Sequence, residues 1–287
     1  MSTKTIKESA GRKVFNVCNI IILALVVISI VIPIWNVLIT SFAMDNDVVG
    51  NDYLLVPHSF TLENYYRVLH SGYMQAFRNS LFVAVVGTAL SIVISIPLGF
   101  ALSRKNLVGR KFLMGMLTFT LVFDVGIMPF YVVVRSLHMI NKMAAIIVPV
   151  AVSTFNVIII KNYMSAIPES LIESARLDGC NDYGVLLRIV LPLSVSIIAA
   201  VTLFYFVNYW NRYFEVIMFI NDSRKYTLQV VLRSLMFEAD DSLGGEHYVY
   251  SNTKMAVMVL GMVPVLVIYP FIQKHFVSGL MIGSVKG

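Results

Sequence analysis

Six long apolar runs, separated by polar segments, dominate the sequence. Each is long enough to cross about 30 Å of hydrocarbon at about 1.5 Å per helical residue. The runs are approximately Val17–Phe42, Ala76–Leu102, Phe112–Val134, Ala144–Tyr163, Ile189–Trp210 and Met255–Phe276. Because a lipid-facing segment satisfies its backbone polar groups as a helix, the pattern predicts an all-α integral membrane protein with six transmembrane helices. The first run is too long for a signal peptide and lacks a small-residue cleavage site, so we expect it to be retained.

The overall composition favours the same class. Hydrophobic residues make up 58% of the chain and charged residues 13%, and the mean hydropathy is +0.79. The formal net charge of +6 is compatible with a nucleic-acid partner, but basic residues in such a chain usually lie beside the membrane. We therefore expect a lipid bilayer around the chain and no nucleic acid. Cys18 and Cys180 differ too much in predicted depth to pair, so both should be free thiols.

The orientation follows from the Lys and Arg residues, most of which fall on one side of the six runs, including Arg104, Lys105, Arg110 and Lys111. The positive-inside rule then places both termini in the cytoplasm. The predicted organisation is a cytoplasmic N-terminus over 1–16, a membrane domain over 17–276 and a cytoplasmic tail over 277–287. Within the membrane domain, the segment 165–190 is cytoplasmic and the long loop 211–254 is on the outer side.

The cytoplasmic segment 165–190 carries turn and capping signals in a regular order. Pro168 followed by Glu169 suits the start of a helix, where a missing N–H costs nothing and a carboxylate meets the positive end of the dipole. Gly179 permits a left-handed turn, and Asn181 or Asp182 can cap the next helix. Pro192 is expected to bend or end that helix where it enters the membrane. The segment is thus predicted to be a short, rigid helix–turn–helix.

The same segment contains Glu173-Ser174-Ala175, three residues, Gly179, nine residues, and Ile189-Val190-Leu191-Pro192. It resembles the cytoplasmic coupling loop of ATP-binding-cassette (ABC) importer permeases, whose pattern is E-A-A, three residues, G, nine residues, I-x-L-P. Ser174 replaces the first alanine. The resemblance implies a type I ABC importer permease fold in which this loop lies in a cleft of an ATPase subunit. The residues so implicated are Glu173, Ser174, Ala175, Leu177, Gly179, Ile189, Leu191 and Pro192.

The chemically plainer interpretation of this segment is that Glu173 and Arg176 are solvated charges on an ordinary loop and Gly179 a simple turn residue. A second resemblance covers the C-terminus, where the string from Phe276 to Gly287 is similar to the tails of sugar-importer permeases, which typically end in G-L-x-x-G-A-V-K-G. It implies that Gly279, Gly283 and Lys286 contact the ATPase dimer. The alternative for the two glycines is a helix-packing motif.

Looser strings extend the resemblance to nearly the full length of the second permease subunit of carbohydrate ABC importers, close to the maltose type and to polysaccharide-import permeases. These strings are Pro129-Phe130-Tyr131, Trp210-Asn211-Arg212-Tyr213-Phe214 and Tyr226-Thr227-Leu228-Gln229. The resemblance implies a multi-pass protein of the bacterial cytoplasmic membrane. Its implied partners are a second permease subunit in a heterodimer, two nucleotide-binding ATPase subunits and an extracytoplasmic sugar-binding protein.

Catalytic and metal-binding motifs are absent from the sequence. There is no G-x-x-x-x-G-K-[ST] phosphate loop, so ATP and Mg²⁺ are expected on a partner ATPase and no cofactor on this chain. The five histidines show no metal-ligand spacing, and no nucleophile elbow or Cys/His arrangement is present. We therefore expect neither catalytic nor metal-binding residues in this chain.

Four polar or aromatic residues within the predicted spans are candidates to line a substrate path: Asp124, Asn156, Tyr205 and Asn208. Sugars bind through amide and carboxylate hydrogen bonds together with aromatic faces. Asp124 is the only acid well inside a predicted span, where contact with lipid would cost several kcal/mol, so it should face a cavity or a partner. The alternatives are an interfacial aromatic belt for the tyrosine and helix pairing for the asparagines.

The outer loop supplies one more expectation. By the resemblance, residues around Phe237–Tyr250 reach into the sugar-binding protein, although a plain surface loop is an equal alternative. Two further functions stay open from the sequence: an ABC importer for another solute, such as peptides or phosphate, and a gradient-driven secondary transporter that uses Asp124.

Overall fold

The structure, a computed structural model, describes residues 10–48, 54–56, 59–237 and 251–283. The helices, in chain order, are α1 (Ala10–Ser41), α2 (Asp45–Val48), α3 (Glu63–Leu69), α4 (Tyr73–Ser103), α5 (Arg110–Val122), α6 (Ile127–Ser136), α7 (Ala144–Ile147), α8 (Thr154–Ser165), α9 (Glu169–Leu177), α10 (Asp182–Val185), α11 (Leu191–Leu193), α12 (Val195–Trp210), α13 (Phe214–Phe219), α14 (Leu228–Phe237) and α15 (Ser251–Gly283). Short 3₁₀ turns cover Val148–Val150 and Ser223–Lys225, and a π-helical turn covers Leu186–Val190.

Three helices are long and apolar enough to cross a membrane by themselves within the part of the chain that the structure describes. They are Gly11–Ser41 in α1, Tyr73–Ser103 as α4, and Asn252–Pro270 in α15. Two further crossings are formed if each of two bent helix pairs counts as one span, which gives up to five. The all-helical membrane fold predicted from the sequence is therefore confirmed.

The third apolar run departs from its prediction. Instead of one helix over Phe112–Val134 it forms α5 and α6, interrupted at residues 123–126. Gly126 has a left-handed φ of 78°, and its N–H donates to Asp124 Oδ1 at 3.2 Å. The local turn competes with the helical hydrogen bonds, so the prediction of an uninterrupted helix is wrong and Asp124 lies in the break.

The fourth run is also broken. α7 and the 3₁₀ turn that follows it meet α8 at an angle of 44°. Pro149 lies in that 3₁₀ turn, and Ser153 adopts extended backbone geometry while its side chain accepts from Asn156 N. A side chain that caps a new helix start favours the interruption over a continuous helix, so the single helix predicted over Ala144–Tyr163 becomes two.

The fifth run bends more sharply. Residues Asp182–Leu193 and Val195–Trp210 meet at 85°, with Ser194 at the corner. Pro192 has no N–H to donate to the preceding turn, and the π-helical turn lies immediately before it. The straight membrane helix therefore begins at Val195 and not at Ile189 as predicted.

The terminal helices are longer than the apolar runs that predicted them. α1 begins at Ala10, before Val17, and α15 continues past Phe276 to Gly283. Hydrophobicity marks where lipid contact begins and ends, but helical hydrogen bonding continues into the flanking residues.

The chain divides into two compact units. One comprises Ser71–Ser242 with Gly261–Gly287, and its centre is α4, which packs against α8 and α12. Small residues allow this close packing: a Cβ added to Gly99 would lie 2.6 Å from Ile160 Cγ2. Such small-residue contacts are typical of helix packing in membranes, where close van der Waals approach replaces the hydrophobic effect.

The other unit comprises Met1–His70 with Leu243–Leu260. Two buried asparagines organise the chain that leaves α1: Asn64 Nδ2 donates to the carbonyls of Ser41 and Ala43, and Asn252 Nδ2 donates to Ala43 O and to Asp45 Oδ1. Because buried amides are stable only when hydrogen-bonded, these contacts fix the backbone that follows the membrane helix.

Candidate coupling segment and membrane cavity

The segment between α8 and α12 has the helix–turn–helix form that the sequence predicts. α9 ends in a Schellman motif: Cys180 N donates to Ala175 O at 2.9 Å and Gly179 N donates to Arg176 O at 3.0 Å. Gly179 has φ 83°, a conformation that costs other L-residues about 1 kcal/mol or more. The turn is thus locally encoded by the glycine.

The second helix of the segment is tied to the first. Asn181 caps α10, because its Oδ1 accepts from Gly184 N at 2.8 Å. Arg176 Nη2 forms an ion pair with Asp182 Oδ1 at 2.8 Å. Both charged side chains are substantially exposed, so the pair, which connects α9 to α10, contributes at most about 1 kcal/mol.

The candidate coupling residues of α9 divide between two faces. Glu173, Ser174 and Leu177 are exposed, and Leu177 is 89% exposed. Ala175 is buried together with Ile172, so the Ala175 side chain packs inside the chain. The exposed face presents a carboxylate and a large apolar side chain to the surroundings, while the Ser174 hydroxyl donates to Ser170 O at 2.8 Å. A large exposed apolar group beside a turn is typical of an interaction surface.

The remaining three candidate coupling residues lie at the corner where the segment enters α12. Ile189 belongs to the π-helical turn, and Leu191 and Pro192 to α11. Ser194 at the corner is fully buried, and its hydroxyl has no hydrogen-bond partner within the described residues. The pattern I-x-L-P therefore marks a bend in the chain and not the start of a straight helix.

The candidates near the C-terminus are only partly described. Gly279 and Gly283 lie within the last turns of α15, which places them on a helix. Lys286 lies outside the described residues, as does most of the outer loop around Phe237–Tyr250.

All four candidate path residues line one cavity of about 800 Å³. Asp124 reaches it from the break between α5 and α6, Asn156 from the first turn of α8, and Tyr205 and Asn208 from α12. Val152 and Ser153, in the non-helical stretch before α8, also line this space. Non-helical backbone at membrane depth is tolerated where it lines a polar cavity. The cavity therefore accounts for the two helix breaks, at residues 123–126 and before α8.

The four residues differ in what they offer to a bound molecule. Tyr205 is buried; its hydroxyl shares a hydrogen bond with Ser95 Oγ at 2.7 Å and accepts from Ser153 N at 3.1 Å. Asn156 is buried as well. Asp124 and Asn208 are exposed. Tyr205 therefore holds the break before α8 in place, while Asp124 presents a carboxylate to the open space.

Arg212 is a cavity residue that the sequence analysis did not single out. Its Nη2 donates to Asn208 Oδ1 at 2.7 Å and its Nη1 to Glu215 Oε1. The guanidinium lies 5.3 Å from the centroid of the Tyr209 ring, and burial lowers the pKa of Arg212 while Glu215 raises it. Its position one turn beyond Asn208 in the string Trp210–Phe214 was the available signal.

Thr120 and Thr154 were also missed. Their hydroxyls lie 3.0 Å apart across the cavity wall, and they join α5 to the start of α8. Within the described residues, no group of three or more His, Cys, Asp or Glu side chains could hold a metal ion.

Comparison with known proteins identifies the family. Residues 91–281 match the family described as "Binding-protein-dependent transport system inner membrane component". The chain is 42% identical to the polygalacturonan/rhamnogalacturonan transport system permease protein YtcP of Bacillus subtilis (strain 168), over 90% of this chain and 93% of that protein. It is 37% identical to Protein LplC of the same strain, over 99% of this chain and 98% of that protein.

A solved structure agrees over almost the whole length. A chain of a bacterial ABC transporter involved in the import of the acidic polysaccharide alginate superposes with a TM-score of 0.88 at 28% identity, covering 95% of this chain and 100% of that one. The family model matches most of the chain, the relatives match almost its full length, and the solved structure shares the type I permease fold. These findings exclude a gradient-driven secondary transporter. The chain belongs to the binding-protein-dependent transport system inner membrane component family and is a permease subunit of an ABC transporter, not an enzyme.

Proposed function

We propose that this chain is one of two different permease subunits of an ATP-driven importer that takes up oligosaccharides or polysaccharide fragments delivered by an extracytoplasmic binding protein. The observation that supports it best is the exposed α9 helix followed by the Gly179 turn, at the spacing of the ABC-importer coupling pattern. The names of the relatives, which concern galacturonan, rhamnogalacturonan and alginate, supply the carbohydrate class.

The membrane arrangement that we propose has six crossings with both termini in the cytoplasm. The crossings would be α1, α4, the broken pair α5 and α6, the bent pair α7 and α8, the helix pair that ends in α12, and α15. Broken and bent helices count as single crossings when their interruptions line a cavity. The basic residues beside α4 and α5 then lie on the cytoplasmic side, as the positive-inside rule requires.

In this arrangement two ATPase subunits bind ATP and Mg²⁺, and this chain binds neither. ATP-driven closure of the ATPase dimer moves α9 as a rigid lever through Glu173 and Leu177, and the corner at Ser194 transmits the movement to α12. The C-terminal residues Gly279, Gly283 and Lys286 are proposed to touch the same ATPase dimer. Outward opening of the paired permease helices then accepts sugar, and hydrolysis restores the inward-facing state.

The cavity that contains Asp124 and Asn156 is the proposed sugar path of this subunit. A carboxylate and amides beside aromatic rings suit hydroxyl-rich molecules, because each hydroxyl both donates and accepts a hydrogen bond. Oligosaccharides are the first candidates to test, both the acidic ones derived from galacturonan and alginate and neutral arabino-oligosaccharides. Because the Asp124 carboxylate repels an anion, an acidic sugar would bind on the side of the cavity lined by Arg212. Peptides and inorganic phosphate are the competing solutes.

The coupling role is tested with the assembled transporter in proteoliposomes. Glu173→Lys should abolish ATP-driven uptake while the subunit still inserts and assembles, because it reverses the charge on the exposed face of α9. Glu169→Lys is the control: Glu169 is exposed on the same helix but lies outside the pattern. Because this change also removes the acid at the start of α9, at a cost of about 0.3–1 kcal/mol, insertion and assembly are measured for both variants. Normal uptake with Glu173→Lys would refute the coupling role, and uptake without ATPase subunits would refute the ABC mechanism.

The path role is tested separately. Asp124→Asn should lower sugar uptake, together with sugar-stimulated ATPase activity, at least several-fold. Asp222→Asn removes an acid that does not line the cavity and should leave both rates near wild type. Unchanged rates with Asp124→Asn would show that Asp124 does not contribute to the sugar path, and the proposed coupling role of α9 would be unaffected by that result.

A further inference from the structure

A second cavity, of about 600 Å³, lies where α4 ends and the coupling segment approaches it. One wall is apolar and comes from the last turns of α4, through Pro97, Phe100 and Ala101. Next to this wall the lining is polar and includes Arg104 and Asn106, which follow α4 directly. A space with an apolar wall that runs into a membrane helix and a cationic rim at the helix end suits an amphiphile with an anionic head.

The Arg104 guanidinium is held in place at this rim. Its Nε donates to Ser103 Oγ at 3.0 Å and its Nη2 to Met164 O at 3.2 Å, which leaves other N–H groups of its five donors for a ligand. The guanidinium also lies 5.1 Å from the centroid of the Phe100 ring. Within the described residues no carboxylate lies close enough to Arg104 to form an ion pair, so its charge is not neutralised by direct contact.

The charges around the rim are unbalanced. Arg176 and Asp182 also line the cavity but form an ion pair with each other, so together they contribute little net charge. Lys105 lies in the short connection between α4 and α5, and Arg110 and Lys111 begin α5; residues 104–111 contain no acid. Burial lowers the pKa of Arg104, and the negative charges of Glu169 and Asp182 oppose this only in part. An anion beside Arg104 would offset the cost of burying this cation.

An exposed apolar line on α4 leads to the cavity. Val93, Pro97 and Ala101 are four residues apart, so they lie along one face of the helix. Val93 is 69% exposed and Pro97 is exposed. A water-soluble phosphate would contact only the polar lining around Arg104, whereas a phospholipid would also pack its acyl chain against Val93, Pro97 and Ala101.

We propose that this cavity binds the phosphate of an anionic phospholipid at Arg104, with an acyl chain along the Val93–Pro97–Ala101 face of α4. The lipid would fill the space between the end of α4 and the Arg176–Asp182 pair, and so brace the coupling segment against the membrane domain. The proposal depends on neither the transported solute nor the sidedness of the membrane, because phospholipid headgroups cover both faces.

Two neighbouring exposed positions provide a matched test. Asn106→Asp and Lys105→Gln each change the charge by −1 and each alter an exposed side chain, but only Asn106 lines the cavity. Arg104 itself is a poor first target, because its hydrogen bond to Met164 O also supports the fold. The experiment adds phosphatidylglycerol or phosphatidylcholine to the purified, assembled transporter in detergent and counts retained lipids by native mass spectrometry.

The wild type should retain phosphatidylglycerol in preference to phosphatidylcholine. Asn106→Asp should lower that retention about fivefold, the effect of one charge near a lipid surface, and Lys105→Gln should lower it much less. Equal loss in both variants would show a diffuse charge effect and overturn the site. Displacement of the lipid by inorganic phosphate alone would assign a soluble anion. Absence of selective retention in the assembled transporter, where the ATPase subunits are already bound, would mean that the cavity holds no lipid in the complex; either result overturns the proposal.

Discussion

The ring of Tyr209 lies across Gly87, so closely that a Cβ added to the glycine would be 2.7 Å from the ring carbons Cε1 and Cζ. The tyrosine cannot turn away freely. Its hydroxyl shares a hydrogen bond with Ser91 Oγ at 3.0 Å and donates to Ile147 O at 3.1 Å, and its side chain is fully buried. One contact pair therefore joins α4 to α12 and, through the hydroxyl, to α7.

Gly87→Ala is expected to destabilise the protein by about 1–3 kcal/mol, the usual range for overpacking a tight contact. Gly115→Ala is the control. Gly115 lies within α5, where an added Cβ meets nothing within 4 Å in the part of the chain that the structure describes, so the change should be neutral or stabilising because alanine favours helix. Thermal unfolding in detergent, followed by loss of the monodisperse species, measures both. Equal stability of the two variants would show that α4 and α12 can separate without cost.

Tyr205→Phe tests the hydrogen bonds that hold the break before α8. The change removes the hydroxyl that accepts from Ser153 N and pairs with Ser95 Oγ, and it leaves those groups unsatisfied at a cost of about 1–3 kcal/mol. Tyr131→Phe is the matched control, because Tyr131 packs beside Phe219 mainly through its ring. We expect a lower melting temperature for the first variant only, and a wild-type melting temperature for Tyr205→Phe would contradict the bracing role.

The helices that hydrophobicity could define were predicted well, and the interruptions within them were not. α4 differs from its predicted limits by a few residues, because a continuous apolar run in lipid has one way to satisfy its backbone. The break at residues 123–126 depends on a hydrogen bond between Asp124 and Gly126, a local contact that average hydropathy does not detect. The sequence Asp-Val-Gly before Pro129 was the available turn signal.

The candidate site was predictable to the extent that its chemistry is local. The Gly179 turn and the Asn181 cap follow from single residues, so sequence reasoning anticipated both. That Asp124, Asn156 and Asn208 share a cavity depends on the packing of α5, α8 and α12, and so does the burial of Ala175. Arg212 was not singled out because its role comes from contact with Asn208 and Glu215, which no spacing rule indicates.

A glycine at position 179 could be needed for two reasons: its left-handed backbone conformation, or the space that its missing side chain leaves for a partner. Its added Cβ meets no atom within 4 Å among the described residues. Gly179→Asn, which tolerates φ > 0, should therefore leave the turn and the stability of the chain unchanged. Gly179→Val should destabilise the turn by about 1–2 kcal/mol. If a partner packs against the glycine, Gly179→Asn will lower transport although the chain is folded. Thermal unfolding and ATP-driven uptake, measured on both variants, distinguish the two causes.

A result in which Gly179→Asn transports normally while Gly179→Val does not would restrict the glycine to a backbone role. Normal stability and normal transport in both variants would show that coupling requires neither the left-handed backbone nor the free space at residue 179.

Pro192 sets the direction in which the coupling segment enters the membrane. The residue cannot donate a backbone hydrogen bond, and it follows the π-helical turn and precedes the 85° corner at Ser194. Pro192→Ala restores an N–H and removes the ring that blocks a regular helix, so the corner should straighten or soften. We expect sugar transport to fall several-fold while ATPase activity persists, which raises the number of ATP molecules hydrolysed per sugar.

Ser194→Ala, which removes a buried hydroxyl without a partner among the described residues, should keep that ratio at the wild-type value because the bend is retained. An unchanged ratio in Pro192→Ala would mean that packing of α12 against α4, and not the proline, fixes the corner.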